Sequence, residues 1–272
     1  MRCVILAAGY ATHLYPLTKN FPKPLLEVGG KPVLDWLVED IAAEADEFVV
    51  VSNHKFVGFF EKWAAGKQEA LERATGESAA GKQQALEWAA GKQLAGKDLK
   101  IRVLDDGTES NETRLGAVKD IEFAVEQDGI DEDCLVMAGD NLLDFSLKEF
   151  IEFAVQTGAS CVMCYKEEDP EVLQRSAVIE MQEDGLITSM EEKPMEPKGT
   201  FVSPAFYYYK AADLKRIPEA LADGCGYDSP GSFAAWLSRH VPIYAYKMPG
   251  MRHDIGNLES YEMTKKTYRG IQ

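Results

Sequence analysis

The chain has 272 residues, 46% of them apolar and 27% charged, which is room for one large α/β domain with a substantial core. A net charge of −16 disfavours a nucleic-acid partner or an anionic membrane surface. The five cysteines are odd in number and four of them lie in three apolar runs, which argues against a disulfide framework.

Cys3-Val4-Ile5-Leu6 is a short apolar run that predicts a buried strand. It enters Ala7-Ala8-Gly9-Tyr10-Ala11-Thr12-His13, a glycine-containing turn of the kind that turns backbone N–H groups toward an anionic ligand. Lys23 then lies between Pro22 and Pro24, whose fixed dihedrals confine its ammonium to a limited volume. Pro32 opens a helix in which Leu34, Leu37, Val38 and Ile41 recur at helical spacing, through about Ala45. Phe48 to Val51 is a fully apolar run closed by Ser52, and predicts a strand over 48–52. Strand, helix and strand at this spacing form a βαβ unit, which implies parallel pairing and a sheet covered on both faces.

Residues 62–98 break this pattern. Ala64 to Gln68 recurs as Ala79 to Gln83 and again as Ala89 to Gln93, in a segment rich in Ala, Gly, Lys and Gln. The composition favours helix, although each interior glycine costs roughly 1 kcal/mol relative to alanine. The Gly-Lys pairs lack the spacing and the following Ser or Thr of a phosphate loop. The segment reads as a helical insertion peripheral to the chemistry.

Leu99 to Leu104 predicts the next strand, leading to Asp105-Asp106-Gly107-Thr108, and Leu115-Gly116-Ala117 opens a helix. Cys134 to Ala138 is a buried strand ending in Gly139-Asp140-Asn141. A carboxylate at the carboxyl end of a central strand lies where open α/β sheets bind ligands. Leu147, Phe150, Ile151, Ala154 and Val155 mark an amphipathic helix. Strands follow at Ser160 to Tyr165, Ala177 to Met181 and Leu186 to Met190. Cys161 and Cys164 have C-x-x-C spacing but no second ligand pair, and read as buried thiols. Glu191-Glu192-Lys193-Pro194 in isolation is a solvated turn. Phe201 to Tyr209 is an aromatic strand interrupted at Pro204. Asp228 is expected to cap the helix after Pro230. Ile243 to Met248 forms a last strand before His253-Asp254-Ile255-Gly256, and Leu258 to Tyr268 a last helix. The fold expected is α/β: a Rossmann-like three-layer sandwich with a mixed, mostly parallel central sheet, as a single domain over residues 1–272.

In order, Leu-Ala-Ala-Gly-x-x-Thr-x-Leu-x-Pro-Leu-Thr, Pro-Lys-Pro-Leu-Leu, Gly139-Asp140, Glu192-Lys193-Pro194 and Asp254-Ile255-Gly256 resemble the signature of sugar-1-phosphate nucleotidyltransferases, the short NDP-sugar pyrophosphorylases. The resemblance implies a GT-A-like nucleotidyltransferase fold and a nucleotidyl transfer from an NTP to a sugar-1-phosphate. It implies nucleotide contacts from Leu6, Ala8, Gly9, Tyr10, Ala11, Thr12, Gly116 and Asp140, with Gly116 letting the base pack on backbone. It implies sugar-phosphate contacts from Gly139, Asn141, Glu192 and Lys193, and a Mg²⁺ cofactor on Asp140 and Asp254. Lys23, His13 and Asp140 are the catalytic candidates. Two departures stand out. Ala11 replaces the family's second glycine, a change expected to be mild because it adds one methyl. His13 replaces the arginine that grips the triphosphate, which removes a permanently charged bidentate fork. Free histidine, with a pKa near 6.5, is mostly neutral at pH 7.

A catalytically weakened nucleotide- or NDP-sugar-binding protein of the same fold is therefore an alternative, while the motifs disfavour a glycosyltransferase. No signal-peptide pattern follows Met1 and no apolar run approaches bilayer length, so the expected location is the cytoplasm. The base, the sugar and the oligomeric state, a homo-oligomer included, stay open.

Overall fold

A computed structural model describes residues 1–75, 100–253 and 255–272, with side chains described outside 71–75. In chain order the strands are β1 (Arg2–Leu6), β2 (Glu27–Val28), β3 (Lys31–Pro32), β4 (Glu47–Ser52), β5 (Lys100–Asp105), β6 (Cys134–Ala138) and β7 (Leu142–Leu143). They continue as β8 (Ser160–Lys166), β9 (Ala177–Met181), β10 (Ile187–Glu192), β11 (Phe201–Ser203), β12 (Phe206–Tyr209), β13 (Ile243–Lys247) and β14 (Arg252–His253). The longer helices are α1 (Val33–Asp40), α2 (Val57–Thr75), α3 (Ala117–Gln127), α4 (Lys148–Thr157), α5 (Gly231–Leu237) and α6 (Leu258–Thr267).

The chain divides into two compact units. The first comprises Met1–Arg114, Gly139–Lys148 and Arg252–Gln272; the second comprises Leu115–Ala138 and Glu149–Met251. In the first unit β4 pairs in parallel with β1 on one side and β5 on the other, with Leu6 opposite Val51 and Ser52 opposite Asp105. Residues 3–5 and 48–51 of β1 and β4 are entirely buried, because strands covered on both faces carry continuous apolar runs. Leu34, Leu37 and Val38 of α1 are buried at the helical spacing read from the sequence. That helix ends at Asp40 rather than near Ala45. Ile41 leaves helical geometry, and a separate turn bonds Ala45 N–H to the Ile41 carbonyl at 2.9 Å. The Asp40 carboxylate accepts the Leu147 N–H at 2.7 Å just ahead of α4.

The insertion predicted over 62–98 begins inside α2, and its remainder from 76 on lies outside the described residues. The first copy of the repeat docks on α1. Trp63 Nε1 donates to Asp35 at 2.7 Å, and Lys67 pairs with Asp35 and Glu39. Two short antiparallel ribbons complete the unit, β2 with β3 and β7 with β14, the latter setting His253 opposite Leu142.

In the second unit β12 lies between β6 and β8, antiparallel to both. Beyond β8, β11 pairs with β8 and β9, and β9 with β10, while β13 runs parallel to β8. Tyr207 and Tyr209 project from one face of β12, as alternation requires, and their rings stack at 5.6 Å. Pro204 and the left-handed Ala205 (φ 62°) separate β11 from β12, the interruption expected at that proline. Parallel strands and flanking helices in the first unit, and mixed pairing in the second, make this the α/β class expected. Cys161 and Cys164 are buried free thiols, as expected, and burial pushes both up to about 12. No helix among the described residues is long and apolar enough to cross a membrane.

Candidate active site

The turn after β1 is held by the end of β4 and the residue that follows it. The Ala7 N–H continues the ladder to the Val51 carbonyl at 2.9 Å, and Asn53 Nδ2 donates to the Ala8 carbonyl at 2.8 Å. Gly9 is exposed, and a Cβ built there meets nothing within 4 Å, so the turn presents open backbone. Ala11 adopts the left-handed conformation (φ 45°, ψ 46°), and its carbonyl accepts Thr18 Oγ1 at 2.7 Å. A β-carbon in that region crowds the following carbonyl, so the replacement of glycine here is strained rather than mild. Thr12 and His13 are exposed at the start of a short 3₁₀ turn, Thr12–Leu14.

The Tyr10 side chain turns inward. Its ring is buried, and its hydroxyl donates to the Thr108 carbonyl at 2.9 Å. The side chain is thus engaged within the protein instead of being directed at a ligand.

Lys23 sits in a 3₁₀ turn, Lys23–Leu25, entered from Pro22 and containing Pro24. A buried ammonium requires a partner, and Lys23 Nζ donates to Asp140 Oδ2 at 2.7 Å. Burial alone would raise the Asp140 carboxyl. Lys23 and Arg252 outweigh it and hold the group below the ordinary carboxylate range. The Lys23 side chain is 8% exposed and that of Asp140 39%, so the ionised carboxylate remains approachable while its cation is covered.

Gly139 donates its N–H to the Leu6 carbonyl at 3.0 Å, which places Asp140 beside the end of β1. A Cβ at Gly139 would come within 2.9 Å of Ile5 Cγ2, so this close approach requires glycine. Asn141 is buried and accepts Arg252 Nη1 at 2.9 Å. Arg252, on β14, lies close enough to Asp140 to lower its carboxyl, and sequence reasoning did not single it out; its one signal was its position two residues before Asp254. Asp254 itself lies outside the described residues.

No three His, Cys, Asp or Glu side chains converge on one point among the described residues. Mg²⁺ needs only one or two carboxylates together with phosphate oxygens and water. An ionised, partly exposed Asp140 is a donor of that type.

In the second unit Glu192 and Lys193 line a cavity of about 600 Å³, with Cys225, Tyr227, Ser229 and Arg239 among its other walls. Lys193 is left-handed (φ 49°) and its Nζ donates to Ser229 Oγ at 2.5 Å. Burial raises the Glu192 carboxyl, against the opposing pull of Lys193 and a Ser229 hydrogen bond. Gly231 makes room for Glu192, since a Cβ there would lie 2.1 Å from Oε2. Glu192, half-buried at the end of β10, and Lys193, exposed beside it, thus both line the cavity. The 224–229 loop was not read as functional; its Gly, Tyr and Ser residues carry no periodic signal.

Gly116 is engaged inside the protein. At φ 94°, a Cβ would stand 2.6 Å from the Tyr227 carbonyl oxygen and 2.9 Å from Asp228 Cα. The close neighbours on that side are protein backbone rather than open space for a base. The Tyr227 and Asp228 carbonyls accept Val118 N–H at 2.9 Å and Ala117 N–H at 3.2 Å, capping α3. The expected cap on α5 is corrected accordingly. Its N-cap is Pro230 with no side-chain hydrogen bond, and Asp228 serves α3 through its main chain.

A parallel βαβ core, an open glycine turn after its first strand, and a buried lysine paired to a strand-end carboxylate define a nucleotide-handling α/β protein. The nucleotidyl transferase family model matches residues 2–269, and the chain belongs to that family. The UTP–glucose-1-phosphate uridylyltransferase AglF of Haloferax volcanii is 27% identical over 258 residues, covering 94% of this chain and 91% of that protein. A UTP–glucose-1-phosphate uridylyltransferase of Synechocystis sp. is 25% identical over 266 residues, and there the chain spans only 61% of the relative. In fold, the chain is similar to an apo UDP-glucose pyrophosphorylase, with a TM-score of 0.78 at 22% identity and coverage of 98% and 97%.

Proposed function

We propose that the protein transfers a nucleotidyl group from an NTP to a sugar-1-phosphate, giving an NDP-sugar and pyrophosphate. The Lys23–Asp140 pair at the end of β1 carries this reading, because it sets a covered cation and an ionised carboxylate beside an open backbone turn. In the transfer a sugar-phosphate oxygen bonds to the α-phosphorus and the bond to the β-phosphate bridging oxygen breaks. The nucleophile is already anionic, so the work is alignment and charge compensation rather than proton removal.

Backbone over Leu6, Ala8, Gly9, Ala11 and Thr12 would cradle the nucleotide, and Lys23 would meet its phosphates. Gly116, with the 227–228 loop packed on one side of it, would let the base pack on its backbone. Glu192 would accept sugar hydroxyls and Lys193 would meet the sugar phosphate, with Gly139 and Asn141 shaping the strand end. Asp140 and Asp254 would hold Mg²⁺, whose chemistry when bound is charge neutralisation on phosphate oxygens. NTP and sugar phosphate as substrates are in keeping with a cytoplasmic setting.

His13 supports a second reading, a nucleotide- or NDP-sugar-binding protein with weakened turnover. As an imidazolium beside phosphates, His13 would partly replace the arginine. The test is pyrophosphate release across a panel of NTPs and sugar-1-phosphates, with wild type and His13→Arg, from pH 6 to 8. The transferase reading expects release from at least one pair, rising toward pH 6 in wild type, and a faster His13→Arg at pH 8. Nucleotide binding without pyrophosphate release in either protein would leave the binding-protein reading.

A further inference from the structure

Tyr10 is buried, yet it belongs to the turn that meets the nucleotide, and its hydroxyl is spent on another loop. That loop, residues 105–110, leaves the carboxyl end of β5, two strands from β1 in the same parallel sheet. The Tyr10 hydroxyl and the His54 N–H both donate to the Thr108 carbonyl, each at 2.9 Å. The Tyr10 ring packs 6.2 Å from that of Phe56, and Asn53 holds both Ala8 (2.8 Å) and the Phe56 N–H (3.0 Å). The β1 turn and the β5 loop are thus locked into one rim across the β4 end.

The rim has a direction. Asp140 adjoins β1, so phosphates held there leave the rest of an NTP to run along the strand ends toward β4 and β5. Neighbouring strands are roughly 4.8 Å apart, so the β5 loop lies roughly 10 Å along, within the reach of a nucleoside. The loop also offers an unsatisfied group. Asp106 Oδ1 accepts both the N–H and the hydroxyl of Thr108 at 2.7 Å, while Asp106 Oδ2 is buried without a hydrogen-bond partner among the described residues.

We propose that Tyr10 is a positioning residue, whose hydroxyl fixes the 105–110 loop as the wall that receives the nucleoside end of the NTP. Tyr10 acts through Thr108 and touches no reacting atom. This rests on the transferase reading above and deepens it.

The test uses Tyr10→Phe, which keeps the ring and removes the hydroxyl. One hydrogen bond's net worth predicts a KM for NTP raised about threefold or more. The kcat, the KM for sugar-1-phosphate and the inhibition constant of tripolyphosphate, which has no nucleoside, should stay within that factor. Hydrogen exchange on the wild type gives a readout independent of the variant: NTP should slow exchange at residues 105–110 and tripolyphosphate should not. A smaller KM change in Tyr10→Phe, a parallel weakening of tripolyphosphate, or equal protection by both ligands overturns the assignment of Tyr10 alone. A wild type that binds no NTP overturns the functional reading and this inference with it.

Discussion

At the scale of single residues, the site is governed by what each group must do with its charge or its backbone. Ala11 occupies a left-handed conformation that glycine enters without penalty, so Ala11→Gly should stabilise the protein by about 1 kcal/mol in urea unfolding. A neutral or destabilising change would mean that the turn is not strained there. Glu192 makes a second case. Burial raises its carboxyl, so it takes up a proton at a pH where an ordinary glutamate is still ionised. As pH falls from 7 to 5, the KM for sugar-1-phosphate should therefore rise more steeply in wild type than in Glu192→Gln. The variant serves as the control for titration of the substrate phosphate, and parallel profiles would remove Glu192 from sugar binding.

At the scale of elements, glycines join pieces of chain that are remote in sequence. Gly116 lets the 227–228 loop lie on the N-terminus of α3 and satisfy two of its orphan N–H groups. In Gly116→Ala the new methyl meets backbone, which has no rotamer to move, and φ 94° is costly for alanine. The loss should be roughly 3 kcal/mol. Because the same loop bears Ser229 beside Lys193, the KM for sugar-1-phosphate should rise as well, and a variant with unchanged stability would show that the loop yields. The α1–α2 contact works through charge instead: Asp35, buried and raised by that burial, is held by Trp63 and by Lys67 of the first repeat copy. The insertion is thereby anchored at its start to the βαβ core.

At the scale of the whole molecule, the family assignment and the parallel core predict dependence on a divalent cation. Removal of Mg²⁺ by a chelator should reduce pyrophosphate release to background, and added Mg²⁺ should restore it, while the melting temperature without nucleotide stays nearly constant. Activity that survives chelation would leave Asp140 as a partner of Lys23 only.

Much of this architecture could be read from local pattern. The strand at 134–138 was placed to the residue, and the βαβ unit, the break at Pro204 and the closing helix followed from period and proline. Those features rest on short-range sterics and burial, which a linear sequence carries. The order of motifs also determined the family and pointed to Lys23 and Asp140. Tertiary structure alone decided what those residues touch. That Arg252 helps keep Asp140 ionised, that Tyr10 is turned inward to Thr108, that Gly116 answers to Tyr227, and that Ala11 is strained all depend on backbone dihedrals or on contacts between positions up to 112 apart in sequence. Such pairings arise when strands and loops assemble, and no local preference in the chain encodes them.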